Sequence, residues 1–176
     1  IYKKEKGMEK METFADYILN EKNPGSKMEI TYYLAKKENI FFEKSVIFKT
    51  EIMRLFLNTV NLEVDNNLLI TASLLASCKK MEVANDIEKI KSFAQEGANY
   101  LYSIGFEQNF CDICAGINRY KEQKNRAKES DILELVDQFG AMLLDRPERI
   151  GMEVDEALVL LEYRNLKGVN NQYLHT

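Results

Sequence analysis

Apolar residues recur along this chain at the three-to-four-residue spacing of helices, and nowhere alternate long enough to commit to a strand. Met8, Met11, Ala15, Ile18 and Leu19 fall on one stripe, with lysine and glutamate opposite. Asn23-Pro24-Gly25-Ser26 reads as a break. A second helix is expected from about Lys27 to Lys37, with Ile30, Tyr33 and Leu34 inward, and a third from about Glu43 to Thr59, carrying Val46, Ile47, Ile52, Leu55 and Phe56.

Asp65 is a candidate N-cap for a helix from Asn67 to Cys78. That helix carries Leu68, Leu69, Ile70, Ala72, Leu74 and Leu75 around most of its circumference, so it should be the central, buried one. A further helix near Asp86 to Ser103 should end with Gly105 at its C′ position and Phe106 folding back. Another is expected over about Glu107 to Tyr120, followed by a polar loop. Ser130 is a candidate cap for a helix through Ile132, Leu133, Leu135, Val136, Phe139, Met142 and Leu143, ended by Arg146-Pro147. The last helix, Val154 to Tyr163, presents Ala157, Leu158 and Leu161. The pattern predicts an all-α domain over residues 43–176, with an N-terminal helical extension over 1–42 that docks on it or dimerises.

Composition narrows the function classes. The 176 residues are 45% hydrophobic and 30% charged, an ordinary balance for a folded domain. The net charge of −4 argues against non-specific binding to nucleic acid or an anionic membrane. No apolar run reaches the length of a membrane span, and the N-terminus lacks the apolar core of a signal peptide. It also lacks an initiator methionine, so the chain is expected to be a fragment or a processed form. Three cysteines without a secretory signal suit a reducing cytoplasm.

The single histidine is His175. This matters because two stretches look like the frame of a histidine-rich metal site: Ser73-Leu74-Leu75-Ala76-Ser77-Cys78-Lys79-Lys80, and Asp137 followed by Asp145, Arg146, Pro147 and Arg149. From about Ser45 to the C-terminus the chain resembles the HD superfamily of metal-dependent phosphohydrolases. The closer likeness is to its HD-GYP branch, which degrades cyclic di-GMP. A related branch, the HDOD domains, also often lacks the ligands, but the Arg-Pro-Glu-Arg ending favours HD-GYP.

The resemblance implies an HD-like helical bundle and sets the family's diagnostic histidine and aspartate on Ala76 and Ser77, with the family lysine at Lys80. A later histidine falls on Phe93, a pair near Gly116 and Ile117, and the first near Ser45. The last metal aspartate is matched by Asp137. Asp155-Glu156-Ala157-Leu158 matches the downstream pattern, and the Gly-Tyr-Pro loop is absent. Di-metal hydrolysis needs imidazoles and carboxylates to hold the ions that activate water. Alanine, phenylalanine, glycine and isoleucine offer no suitable lone pair, and serine hydroxyls are poor ligands for such metals. The resemblance therefore implies a domain without the family's phosphodiesterase activity, and no cofactor or metal is expected.

Other residues invite a sharp and a plain reading. Asp137 is either a relic ligand for Mg or a carboxylate paired within the fold, with Lys80 or Lys79 as its partner. Cys111-Asp112-Ile113-Cys114 is a C-x-x-C, but there is no second pair, so Cys78 and Cys114 read as small buried side chains. Lys80, Arg119, Lys121, Lys124, Arg126 and Lys128 could contact a phosphate or an acidic partner, or, for the 121–128 segment, form a solvated loop. Arg146 and Arg149 read as fixing the end of the Asp137 helix through carboxylate pairs. The methionine stripe Met8–Met11 is a candidate partner-binding face. A regulatory or protein-interaction module is the leading expectation, through a protein partner or self-association. A non-hydrolysing nucleotide or cyclic-dinucleotide receptor and an enzyme with relocated ligands are the alternatives.

Overall fold

A computed structural model of the chain describes residues 13–80, 86, 89–117, 126–146, 149–165 and 171–176. Eight α-helices are present among them: α1 (Phe14–Asn20), α2 (Pro24–Glu38), α3 (Lys44–Thr59), α4 (Asn66–Leu75), α5 (Phe93–Ser103), α6 (Gln108–Ala115), α7 (Lys128–Leu143) and α8 (Val154–Arg164). A 3-10 turn, Lys89–Ser92, leads into α5. The fold is all-α, and its one β-type contact among the described residues is an isolated bridge between Arg146 and Arg149.

The apolar helix α4 lies at the centre, as its composition requires. Leu69, Ala72, Leu74 and Leu75 are fully buried, and α1, α2, α3, α6 and α7 all pack against it. Burial of one such leucine stabilises the fold by roughly 2 kcal/mol before entropy is counted. Asp65 caps α4 as expected, accepting from the Leu68 amide at 3.0 Å. Helix α5 ends in a Schellman turn. Gly105 sits at φ 103°, and the Phe106 amide reaches back to the Leu101 carbonyl at 3.1 Å. Phe106 then stacks on Phe110 at 4.6 Å and meets the edge of Phe14, so this cap also seats α1.

Helices α1 and α2 pack against α4. Ala15, Ile18 and Ile40 belong to the same continuous core as the α4 leucines. The main tie is polar: Lys27 is wholly buried and donates to the Ile18 carbonyl at 2.5 Å and to Thr71 Oγ1 on α4 at 2.6 Å.

Several boundaries differ from the pattern reading. Asn23-Pro24-Gly25-Ser26 starts α2 rather than breaking the chain: Asn23 caps through the Ser26 amide and Pro24 takes the first turn, where no amide hydrogen is needed. The buried stripe of α2 runs through Lys27 and Thr31, which leaves Tyr33 62% exposed. Ser130 is not a cap. Helix α7 begins two residues earlier at Lys128, and Ser130 is buried with Oγ donating to the Ile113 carbonyl at 3.0 Å. Met8, Met11, Arg119, Lys121, Lys124 and Pro147 lie outside the described residues.

Candidate functional site

Where α4 ends, Ala76, Ser77 and Lys80 turn toward α7, and Phe93 at the start of α5 and Ile117 just past α6 close the same corner. Two adjoining cavities lie there, sharing Ile117 and Asp137 as walls. Ala76 and Ser77 line one, with Lys49 and Ser73; Lys80 and Phe93 line the other, with Glu134 and Gln138. Each measures about 10 Å³, room for about one water molecule. The Ser73 hydroxyl on the first wall is buried with no hydrogen-bond partner among the described residues. The fold thus brings together five of the positions that the resemblance marks: Ala76, Ser77, Phe93 and Ile117, where ligands are missing, and Asp137, where the aspartate is kept.

Two further positions lie apart from these walls. Ser45 sits in the first turn of α3, where Oγ donates to Glu43 Oε1. Gly116 is consumed by packing: a Cβ there would stand 2.4 Å from Ser130 Oγ. No side chain, imidazole included, fits that position without moving α7.

Asp137 is held by a residue the sequence reading did not name. Lys49 Nζ donates to Asp137 Oδ1 at 2.6 Å, and the two side chains are 10% and 22% exposed. Lys49 was legible only as part of the inward stripe Val46, Lys49, Thr50, Met53 and Leu57, where a lysine is read by default as facing water. Lys80 and Lys79 stand over aromatic rings, 5.6 Å from the Phe93 centroid and 4.6 Å from that of Tyr100.

The second polar cluster centres on Arg126. Its guanidinium pairs with Asp131 and Glu134 and donates to the Gly116 carbonyl at 2.8 Å. Glu134 accepts from Gln138 at 2.7 Å, and Gln138 in turn accepts from Arg164 on α8. Asn171 and Gln172 close on Asp131 from the C-terminal segment. Burial pushes the Glu134 carboxyl above its ordinary range despite the guanidinium. Arg126, a candidate phosphate contact in sequence, is instead a largely buried tie between α6, α7 and the C-terminal segment. Lys128 donates to the Glu63 carbonyl.

Arg149 does fix the end of α7, but through carbonyls: Nη2 donates to Ala141 O at 2.5 Å and Nη1 to Met142 O at 2.9 Å. A cation there also meets the negative end of the helix dipole. Cys78, Cys111 and Cys114 are all buried free thiols. Burial pushes the Cys114 thiol well above its ordinary value, with Cys78 and Cys111 adding to the shift. A reactive cysteine has the opposite setting.

These residues do not fit a di-metal centre. Ala76, Phe93 and Ile117 offer no donor, and an ammonium occupies Asp137. No group of three or more His, Cys, Asp or Glu side chains able to hold an ion is found among the described residues. Among the same residues, no helix is long and apolar enough to cross a membrane. No protein-family model, curated protein or solved structure matches the chain.

Proposed function

We propose that this chain is a regulatory or protein-interaction module, built on an HD-GYP-like helical frame that has lost its hydrolytic chemistry. One observation supports the reading. Five positions picked out by the resemblance, far apart in sequence, surround one corner of the fold, and that corner is packed to water-sized spaces and crossed by the Lys49–Asp137 pair. A helical bundle that meets its partners through its surface remains. The nucleotide-receptor alternative would use the same corner, whose two cavities of about 10 Å³ fall short of the some hundreds of Å³ that a nucleotide needs.

Metal content and turnover test the proposal together. Purified protein, cleared of contaminating hydrolase, should carry no stoichiometric transition metal and should not hydrolyse bis(p-nitrophenyl)phosphate with Mn, Fe or Mg added. Chelator-sensitive turnover would sink it. A rise in melting temperature specific to cyclic di-GMP would transfer support to the receptor.

A further inference from the structure

An apolar recess lies away from that corner. It is a groove of about 430 Å³ between the C-terminal half of α3, the middle of α7, one face of α8 and the C-terminal segment with Tyr173 and Leu174. Leu55, Phe56, Leu135, Phe139, Leu158 and Leu161 are among the residues that line it. Leu55 and Leu158 on opposite walls stay 56% and 45% exposed, and Val154, one turn before Leu158, extends the apolar surface along α8. A helix that is apolar on its inner face and on much of its outer face is incompletely covered.

The charge that α8 brings beside the groove is mostly of one sign. Helix α8 and its cap carry Glu153, Asp155, Glu156 and Glu162, all exposed. Its one cation, Arg164, reaches inward to Gln138. On the opposite wall Glu51 is already offset by Arg54 at 2.9 Å. By helical spacing Asp155 and Glu162 flank Leu158 on either side along α8, and no ion pair joins either to a cation among the described residues.

We propose that this groove binds an amphipathic helix of a partner protein, with apolar anchors along one stripe and lysine or arginine at the stripe's edges. Three of the walls are helices whose backbone groups are bonded internally, and the fourth is a short run of turns at 171–176, so no strand edge lines the groove among the described residues. A helix satisfies its own backbone and presents only side chains. A second copy of this chain in a two-fold contact would set the patch against itself and bring Asp155 and Glu162 against like charges. A fatty acid or other anionic amphiphile meets the same repulsion. The inference deepens the interaction-module reading and rests on it, but not on the family resemblance.

Two synthetic helices of about 18 residues test it, long enough to be partly helical when free. They share leucines at i, i+3, i+7 and i+10 and carry either lysine or glutamate at the flanking positions. Fluorescence anisotropy with the whole chain should show saturable binding of the lysine peptide, at least about tenfold tighter than the glutamate peptide and weakened by salt. Leu55→Asp and Leu158→Asp change exposed positions, so folding checked by circular dichroism should persist while binding falls at least about tenfold. Asp155→Lys with Glu162→Lys should erase the preference for lysine over glutamate. Tyr33→Asp, exposed on α2, should change nothing.

Equal binding of both peptides, or binding unaffected by Leu158→Asp, would overturn the proposal. A concentration-dependent dimer abolished by Leu158→Asp would assign the groove to a second copy, and displacement of the lysine peptide by oleate would assign it to a lipid; either overturns it. Metal-dependent turnover alongside lysine-peptide binding would remove the functional reading and leave the groove standing. Absent binding with absent turnover would do the reverse.

Discussion

Lys49 on α3 and Asp137 on α7 meet at 2.6 Å beside the cavities lined by Ala76, Ser77, Phe93 and Ile117. The ammonium stands at Asp137, the one carboxylate there at a position that the resemblance marks. Lys49→Ala should destabilise the fold by about 2 to 3 kcal/mol, because it leaves a largely buried carboxylate without its partner. Lys49→Met with Asp137→Leu should recover most of that loss. Urea denaturation of the wild type, Lys49→Met, Asp137→Leu and the double variant gives the coupling. A coupling near zero would mean that the pair contributes nothing.

Gly140 makes room for that pair. A Cβ at Gly140 would lie 2.8 Å from Lys49 Cγ and 3.2 Å from Ile52 Cδ1. Alanine gains roughly 1 kcal/mol of helix propensity, but displacing the root of the lysine stem should cost more. Gly140→Ala is expected to lower stability by about 1 kcal/mol in the native sequence and to raise it in a Lys49→Ala background. Thermal melts of both pairs read the change of sign.

Arg126→Met should cost about 3 kcal/mol or more at neutral pH, since Glu134 and Asp131 keep little access to water. The loss should shrink on acidification. Without the guanidinium the Glu134 carboxyl rises further above its unfolded value, so the folded state binds the extra proton, and stability falls as pH rises through that window. Urea midpoints at pH 7 and pH 5 should differ between variant and wild type more at pH 7. An equal difference at both would mean that Glu134 is not the group left stranded.

Lys27 carries a pH dependence of its own. Burial lowers its ammonium to about 8, against the opposing pull of Glu21 and Asp65. The site offers two acceptors, Ile18 O and Thr71 Oγ1, matching the two donors of a neutral amine. The unfolded chain holds its proton up to about pH 10.5, so Lys27's contribution is least favourable below pH 8 and gains about 3 kcal/mol as pH rises toward 10.5. Relative to Lys27→Met, the wild type should gain stability between pH 7.5 and pH 10 in urea titrations. A difference that stays constant would exclude neutralisation of the amine.

Much of the helical frame was readable because its signals are local. The α4 apolar run, the Asp65 cap and the Gly105–Phe106 turn each involve neighbours within a turn or two. The same locality explains the errors. Ser130 has the chemistry of a cap, but its hydroxyl found a carbonyl on α6; Tyr33 shares a stripe with Ile30 in sequence, yet Lys27 drew the α2 face inward toward Thr71. Arg126 looked like an exposed cation, and only the approach of α7 to the end of α6 shows which acceptors claim it.

By itself the sequence determined the helical class, the central place of α4 and the want of imidazoles, because periodicity and side-chain chemistry are properties of short stretches. The tertiary structure alone decided that Ala76, Ser77, Phe93, Ile117 and Asp137 surround one tight corner, that Lys49 neutralises it, and that an acidic-edged apolar groove opens beside α8. Those facts depend on contacts between residues tens of positions apart, and their geometry is set by how whole helices pack.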